Sequence, residues 1–313
     1  MHCVRSRTTT AIHCPEPDMQ HACITVQQLP DSMLHVAERP AHAACAGLMR
    51  GNNGYCYGYE EWSSAPVARI ESASANVVLI LEIGAPLLVA NRGGRHSAGP
   101  TRHQGGFVAG LHDGPTHTTH AGHQAGIQIN LPPLAAGQVF GMPLSEIAHQ
   151  VVAAADLLPH AHRARLLALA ELPTWDARLD AVDAMLLGAT QRLSAQRTVP
   201  RGFRELAWAI ARIEQCAGQL RIDALARELG WSERRLQRAF ATQVGVSAKL
   251  FARLVRFNAL MDRARSRPDE SWAGAAYALG FADQSHLVRD VRQFTGMTPS
   301  AAEGRLRAIA NTG

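Results

Sequence analysis

Three groups of side chains in this sequence have the types and spacing for chemistry. Arg234, Arg235, Gln237 and Arg238 lie together in 220–244, LRIDALARELGWSERRLQRAFATQV. Ser285, His286 and Arg289 lie in 271–294, SWAGAAYALGFADQSHLVRDVRQF. Guanidinium forks and amides make paired hydrogen bonds to flat polar edges, Arg to guanine O6 and N7 and Gln to adenine N6 and N7, and Arg also grips phosphate. The third group is His96, His103, His112, His117, His120 and His123. Neutral imidazoles converging from turn-linked strand ends are transition-metal ligands. Against a metal, no Asp or Glu falls between Asp113 and Glu146, and strand residues three apart face opposite sides. These histidines are therefore expected in polar, partly exposed loop, with no metal and no cofactor.

The two arginine-bearing segments share one local pattern. Ile222, Leu225, Ala226 and Leu229 make one apolar face of a short helix. Gly230 is a residue free to take positive φ at its end, and Ser232 is placed to cap a second helix from Glu233 to about Gln243. Leu236, Ala239 and Phe240 face its core, which leaves Arg234, Arg235, Gln237 and Arg238 outside. The second segment repeats this. Trp272, Ala275, Ala276 and Leu279 form the first helix, Gly280 turns the chain and Asp283 caps. Gln284–Phe294 turns Leu287, Val291 and Phe294 inward and Ser285, His286 and Arg289 outward. The two glycines are 50 residues apart. Between them Leu250, Phe251, Leu254, Phe257 and Met261 form the seam of one long connecting helix. Each unit reads as a helix-turn-helix. Trp231, Phe240, Trp272 and Phe281 are expected in the core. Arg235 and Arg253 are expected as phosphate contacts or solvated charge rather than base readers. For His286 a base contact and an exposed turn position both stay open, as do capping and DNA contact for Gln284.

These units lie in the most basic part of the chain. Residues 197–313 carry 19 Lys and Arg against 11 Asp and Glu, whereas 1–196 carry 12 against 15. Eighteen of those 19 cations are Arg, which suits a polyanionic partner but also a high-GC coding bias. At 313 residues, 47% hydrophobic and 18% charged, the chain is expected to fold as two packed domains. The six cysteines, Cys3, Cys14, Cys23, Cys45, Cys56 and Cys216, form no CxxC and no finger-like spacing, so reduced thiols in a cytoplasm are expected. No apolar run is long enough to span a membrane, and the start has no signal-peptide pattern.

Residues 1–33 are aperiodic and expected to be a flexible extension, or to precede a true start at Met33 or Met49. Residues 34–193 are expected to be a β-rich domain with a helical tail. Val77–Ile83 reads as a strand buried on both faces, Leu87–Ala90 and Gly106–Leu111 as short strands. Ile127, Ile129 and Leu131 alternate with Gln128 and Asn130 as in a half-buried strand. Such short strands between Gly-rich turns suggest a small barrel or sandwich. Leu79, Leu81, Leu88, Ile127 and Ile129 would wall a ligand pocket if one exists, and core is the simpler role for them. Pro143 is expected to open a helix through Ile147, Val151 and Val152. Arg163–Leu172 is read as a second helix, and Thr174 as the cap of a third with Asp176 in its first turn. The segment 194–202, with Pro200 and Gly202, is the expected linker. Residues 203–313 are the expected helical domain.

Gly280-Phe281, Asp283-Gln284-Ser285-His286-Leu287, Arg289, Gly296 and Thr298-Pro299-Ser300 resemble the signature of AraC/XylS regulators. The first unit, with Leu225-Ala226, Ser232, Leu236-Gln237-Arg238, Phe240 and Gly245, is similar too. The resemblance covers about residues 203–308. It departs at Ala248, where the family often has Pro, and at Val291, where an aromatic is usual. It implies a seven-helix domain setting two recognition helices in successive major-groove segments, with Arg234, Gln237 and Arg238 reading one and Ser285, His286 and Arg289 the next. The front domain is similar to that of one AraC-like subgroup, from Gly54-Tyr55 to Phe140-Gly141-Met142-Pro143-Leu144, with Trp175 and Arg178 in the tail. This implies an α+β chain with a cupin-like sensory or dimerisation domain.

The resulting expectation is a cytoplasmic, sequence-specific DNA-binding transcription regulator, not an enzyme. Its expected partner is double-stranded DNA; a small-molecule effector, RNA polymerase and a second copy of the chain stay open, as does activation against repression. A metal-dependent cupin-type enzyme would need a convergent His/Glu set that is missing. A DNA-repair methyl acceptor would need a Pro-Cys-His-Arg-like cysteine, and none of the six fits. Neither a GxSxG elbow nor a P-loop is present.

Overall fold

The computed structural model of the chain describes residues 22–29, 32–38, 45, 55–91, 99–158, 164, 168–195, 201–267, 269–281 and 283–304. The fold is α+β. One sheet runs in the order β1 (Cys23–Gln28), β2 (Met33–Glu38), β3 (Tyr55–Trp62), β10 (His123–Leu131), β5 (Val77–Glu82), β8 (Gly106–Ala109), β11 (Val151–Ala153). A second runs β4 (Val67–Glu71), β9 (Thr116–His120), β6 (Leu88–Asn91), β7 (Thr101–Arg102).

The apolar run of β5 is buried on both faces because each face has its own core. Leu79 and Leu81 pair with Ile129 and Ile127 and pack with Val108 and the helical core that includes Leu179, Val182 and Leu186. Ile80 faces the other way, against Leu87, Val89, Phe107 and Ala109. Four of the five expected pocket-wall residues, Leu79, Leu81, Ile127 and Ile129, are thus fully buried core, and Leu88 is 41% exposed. Strand β10 is buried on both faces rather than half-buried: Asn130 and Gln124 are enclosed with its apolar residues.

Polar side chains inside the sheets satisfy one another. Glu61 accepts from the Ser32 hydroxyl and from Arg69 Nη2, and its Oε2 lies 3.2 Å from His120 Nε2. Tyr59 is half-buried, and desolvation pushes its phenol well above the usual range; Gln124 Nε2 donates to its hydroxyl at 2.6 Å. Burial likewise raises the Glu82 carboxyl, opposed by the Leu87 N–H it accepts.

Several segments differ from expectation. Residues 23–28, placed by the sequence in a flexible extension, form the edge strand β1. The helix expected from Pro143 through Val152 is instead a 3-10 turn, Leu144–Glu146, followed by strand β11. Val151 and Val152 pair with Ala109 and Val108, so an open sheet edge outcompeted helix formation by two β-branched residues. Of the helix expected over Arg163–Leu172, residues 163 and 165–167 lie outside the described residues; 164 and 168 are helical, and the segment ends in the 3-10 turn Leu169–Glu171. Thr174 does cap the helix after it, its Oγ1 accepting from Ala177 N–H at 3.2 Å.

His103 and His112 lie in loops, whereas His117 and His120 belong to β9 and His123 to β10; His96 lies outside the described residues. His120 is buried, and His123 stacks on Trp62 and pairs with Glu60. Among the described residues no three His, Cys, Asp or Glu come together as a metal-holding group.

The helices are α1 (Pro133–Phe140), α2 (Ala154–Leu157), α3 (Trp175–Ala195), α4 (Phe203–Gln215), α5 (Ile222–Glu228), α6 (Glu233–Gln243), α7 (Ala248–Ser266), α8 (Trp272–Ala278) and α9 (Gln284–Thr295). Residues 299–304 begin a further helix. Among the described residues no helix is long and apolar enough to cross a membrane. One buried apolar cluster is continuous from the β5–β10 face through α3 to α9, so the β domain and the helical domain are packed together.

His112, in the loop after β8, is 6% exposed, and its Nδ1 contacts the Gly114 carbonyl. Burial lowers its pKa, against the pull of that carbonyl and of Asp113. The folded chain therefore keeps it neutral at a pH where the unfolded chain, titrating near ~6.5, already binds a proton. Stability held above that value is lost as pH falls below it, at about 1.4 kcal/mol per pH unit until the folded group protonates. The urea midpoint should fall between roughly pH 7 and 5.5, and less steeply in His112→Gln. Equal slopes in both proteins would show that another group controls the loss.

Candidate nucleic-acid interface

The first unit is built by local rules. Helix α5 ends at Gly230, whose φ of +64° turns the chain, and Trp231 N–H closes back on the Ala226 carbonyl at 2.9 Å. Ser232 Oγ accepts from Arg235 N–H at 3.3 Å and starts α6. Leu236 and Phe240 are fully buried, so the opposite face, with Arg234, Arg235, Gln237 and Arg238, is exposed. The Arg235 guanidinium lies 4.1 Å over the Trp231 ring, a contact that holds the cation at the surface.

The second unit repeats the construction. Gly280 has φ +67°. Asp283 Oδ1 accepts from His286 N–H at 2.7 Å and caps α9, so Asp283 and not Gln284 is the cap. Leu287, Val291 and Phe294 are buried, while Ser285 and Arg289 are exposed. His286 is in between: its ring meets Phe281 edge-on at 5.4 Å, and its Nε2 lies 3.6 Å from Asp290 Oδ2.

Helix α7 joins the units. Its buried stripe includes Phe251, Leu254 and Phe257. Phe251 packs on Phe240 of α6 at 5.9 Å, and Phe257 on Phe294 of α9 at 5.2 Å. Helices α6 and α9 are thus each pinned to the same rod by a tilted aromatic pair, a contact with more orientational preference than aliphatic packing. Ala248 and Val291, where the sequence departs from the family pattern, are both buried and accommodated in this packing.

Ion pairing sorts the cations. Arg212, Arg221, Arg227, Arg253, Arg263 and Arg265 each have a carboxylate within 3.8 Å. Among the described residues, Arg201, Arg204, Arg234, Arg235, Arg238, Lys249, Arg267, Arg289 and Arg292 have no ion pair and are exposed. Arg201, Arg235 and Arg238 converge on one groove between α4 and α6, floored by Phe203 and Trp231 and with no acidic residue in its lining. Arg201 is a member that the motif reasoning missed, because it lies outside both units. The cleft beside α9 differs: Lys249, Arg253, His286 and Arg289 share it with Asp283, Asp290 and Gln293. Arg253, read from sequence as a phosphate contact or solvated charge, is instead tied to Asp290 at 2.6 Å. The structure therefore brings Arg234, Arg235, Gln237 and Arg238 to one exposed helix face and Ser285, His286 and Arg289 to another.

Residues 225–305 match the family described as a helix-turn-helix domain, of the AraC type. The C-terminal part of the chain is an AraC-type helix-turn-helix domain, the DNA-binding module of transcription regulators. No curated protein matches the chain in sequence. Among solved structures, an apo form of ToxT from Vibrio cholerae is similar with a TM-score of 0.48 and 9% identity, over 82% of this chain and 100% of that chain. A ToxT structure with a bound unsaturated fatty acid has a TM-score of 0.44 and 8% identity, over 77% and 96%. The AraC-like transcriptional activator CuxR has 0.25 and 18%, over 74% and 78%.

Proposed function

We propose that the chain binds duplex DNA sequence-specifically by placing α6 and α9 in successive major-groove segments. The carrying observation is that Arg234, Arg235 and Arg238 on α6 and Arg289 on α9 stand exposed on two helix faces of one domain with no ion pair among the described residues, which leaves them for an external anion or base. The 19 residues of α7 span about 28 Å, comparable with the ~34 Å turn that separates equivalent groove positions. Arg234, Gln237 and Arg238 read one segment, and Ser285, His286 and Arg289 the other. A small molecule held by the β domain would gate binding through the contacts that domain makes with the helical one. Genome-wide binding-site mapping tests the reading. Recovered sites should share a motif in two parts about one helical turn apart, and recovery of unrelated sequences would refute it.

The groove of Arg201, Arg235 and Arg238 fits a phosphate. Three like charges without a carboxylate repel one another until an anion arrives. Arg201→Ala and Arg235→Ala should each weaken cognate and random duplexes alike, and lower the slope of log K against log salt by about one. A loss confined to the cognate duplex would make them base readers.

A further inference from the structure

The β domain meets both recognition helices from behind, at their C-terminal ends. At Gly245, just past α6, a side chain would come within 2.8 Å of the Leu144 carbonyl. At α9, Ala73 N–H donates to the Phe294 carbonyl at 2.9 Å. Gln293 Nε2 donates to Asp113 Oδ2 at 3.3 Å, in the loop between β8 and β9.

Gln293 is also the first link of a longer chain. Its Oε1 accepts from Arg253 Nη2 at 2.7 Å. The same guanidinium gives Nε and Nη2 to Asp290 Oδ1 at 3.1 and 2.6 Å. Asp290 is 1% exposed, and its Oδ2 makes no hydrogen bond. His286 Nε2 lies 3.6 Å from it, and the half-buried Arg256 guanidinium also faces Asp290. A buried carboxylate oxygen without a donor is costly. A small rotation of His286 would complete the bond and turn the imidazole of a reading residue.

We propose that Asp113, Gln293 and Arg253 are positioning residues for DNA recognition: they set how α9 presents Ser285, His286 and Arg289, and pass changes in the β8–β9 loop to His286 through Asp290. This rests on the DNA-binding reading above. The guanidinium suits the role because its planar fork bonds Asp290 and Gln293 at once in fixed geometry. The neighbouring groups are accounted for: His149 Nδ1 lies 3.6 Å from Asp113 Oδ1, and the Arg253 guanidinium is 5.0 Å over the Phe294 ring.

The test uses the full chain and a duplex that the wild-type chain enriches from a random library. Asp113→Ala and Gln293→Ala should lose roughly three- to thirty-fold in affinity for it. Neither should differ from wild type on a duplex whose α9-bound segment is scrambled. Asp113→Asn keeps the acceptor for Gln293 and should restore binding. Equal losses on both duplexes, or no rescue by Asn, would overturn the proposal. Hydrogen exchange without DNA separates this from failure of the DNA reading. Asp113→Ala should speed exchange in α9 and not in α6; unchanged α9 exchange would overturn the link whether or not any duplex binds.

Discussion

Alanine at both Arg238 and Arg289 is expected to erase nearly all preference for a cognate duplex over random DNA. Each guanidinium is exposed on its own recognition helix, without an ion pair among the described residues. A bidentate arginine–guanine contact discriminates by about 1–3 kcal/mol. The two residues share no partner, so their effects should add, giving roughly 2–6 kcal/mol, or about thirty- to twenty-thousand-fold. Affinity for random DNA should fall only through the two lost charges, as a shallower salt dependence. Fluorescence anisotropy on cognate and random duplexes at one salt concentration measures both. If the double variant loses equally on both duplexes, these arginines hold backbone and the bases are read elsewhere.

The helical domain was legible because its construction is local. Ser232 and Asp283 cap by accepting from N–H groups three residues on, and Gly230 and Gly280 turn the chain where the apolar period stops. What escaped is set by long separations. Arg253 looked like an outward cation because Asp290, its partner, is 37 residues away. Arg201 gave no signal, since its relation to Arg235 exists only once α4 packs beside α6. The same holds for Gln293, whose link to Asp113 crosses 180 residues.

In the β domain the pattern of burial was legible at β5, where five apolar residues in a row, Val77 to Leu81, leave no polar face, but what each face meets was not. Val151 and Val152 carried the helical period and a strand propensity together; the free edge of β8 decided between them. Residues 23–28 lacked clear alternation, because an edge strand needs only one buried neighbour. His117 and His120 read as loop since a Thr- and His-rich strand has little apolar signature; pairing of β9 with β4 and β6 placed them.

Gly218→Ala is expected to damage the whole helical domain, and Gly230→Ala much less, although both glycines have the same backbone. Gly218 has φ +70° and Gly230 φ +64°, so each substitution incurs the left-handed penalty of about 1–2 kcal/mol. Their surroundings differ. A Cβ at Gly230 meets nothing within 4 Å, whereas one at Gly218 falls 2.0 Å from the Ala252 carbonyl oxygen of α7. Backbone there cannot swing aside as a side chain would, which adds about 1–3 kcal/mol of overpacking. The same turn receives Arg256 of α7 at the Gly218 carbonyl, and Arg256 reaches on to the Phe281 ring at 5.7 Å. A shift of α7 at this point thus disturbs the rod on which both recognition helices are pinned. Thermal unfolding should show Gly218→Ala down by roughly 2–5 kcal/mol and Gly230→Ala by only the first part. The cognate duplex should be bound poorly by the former even below its Tm. Equal melting of the two variants would mean that the α4–α5 turn does not bear on α7, and the two units would then lack the common support that successive grooves require.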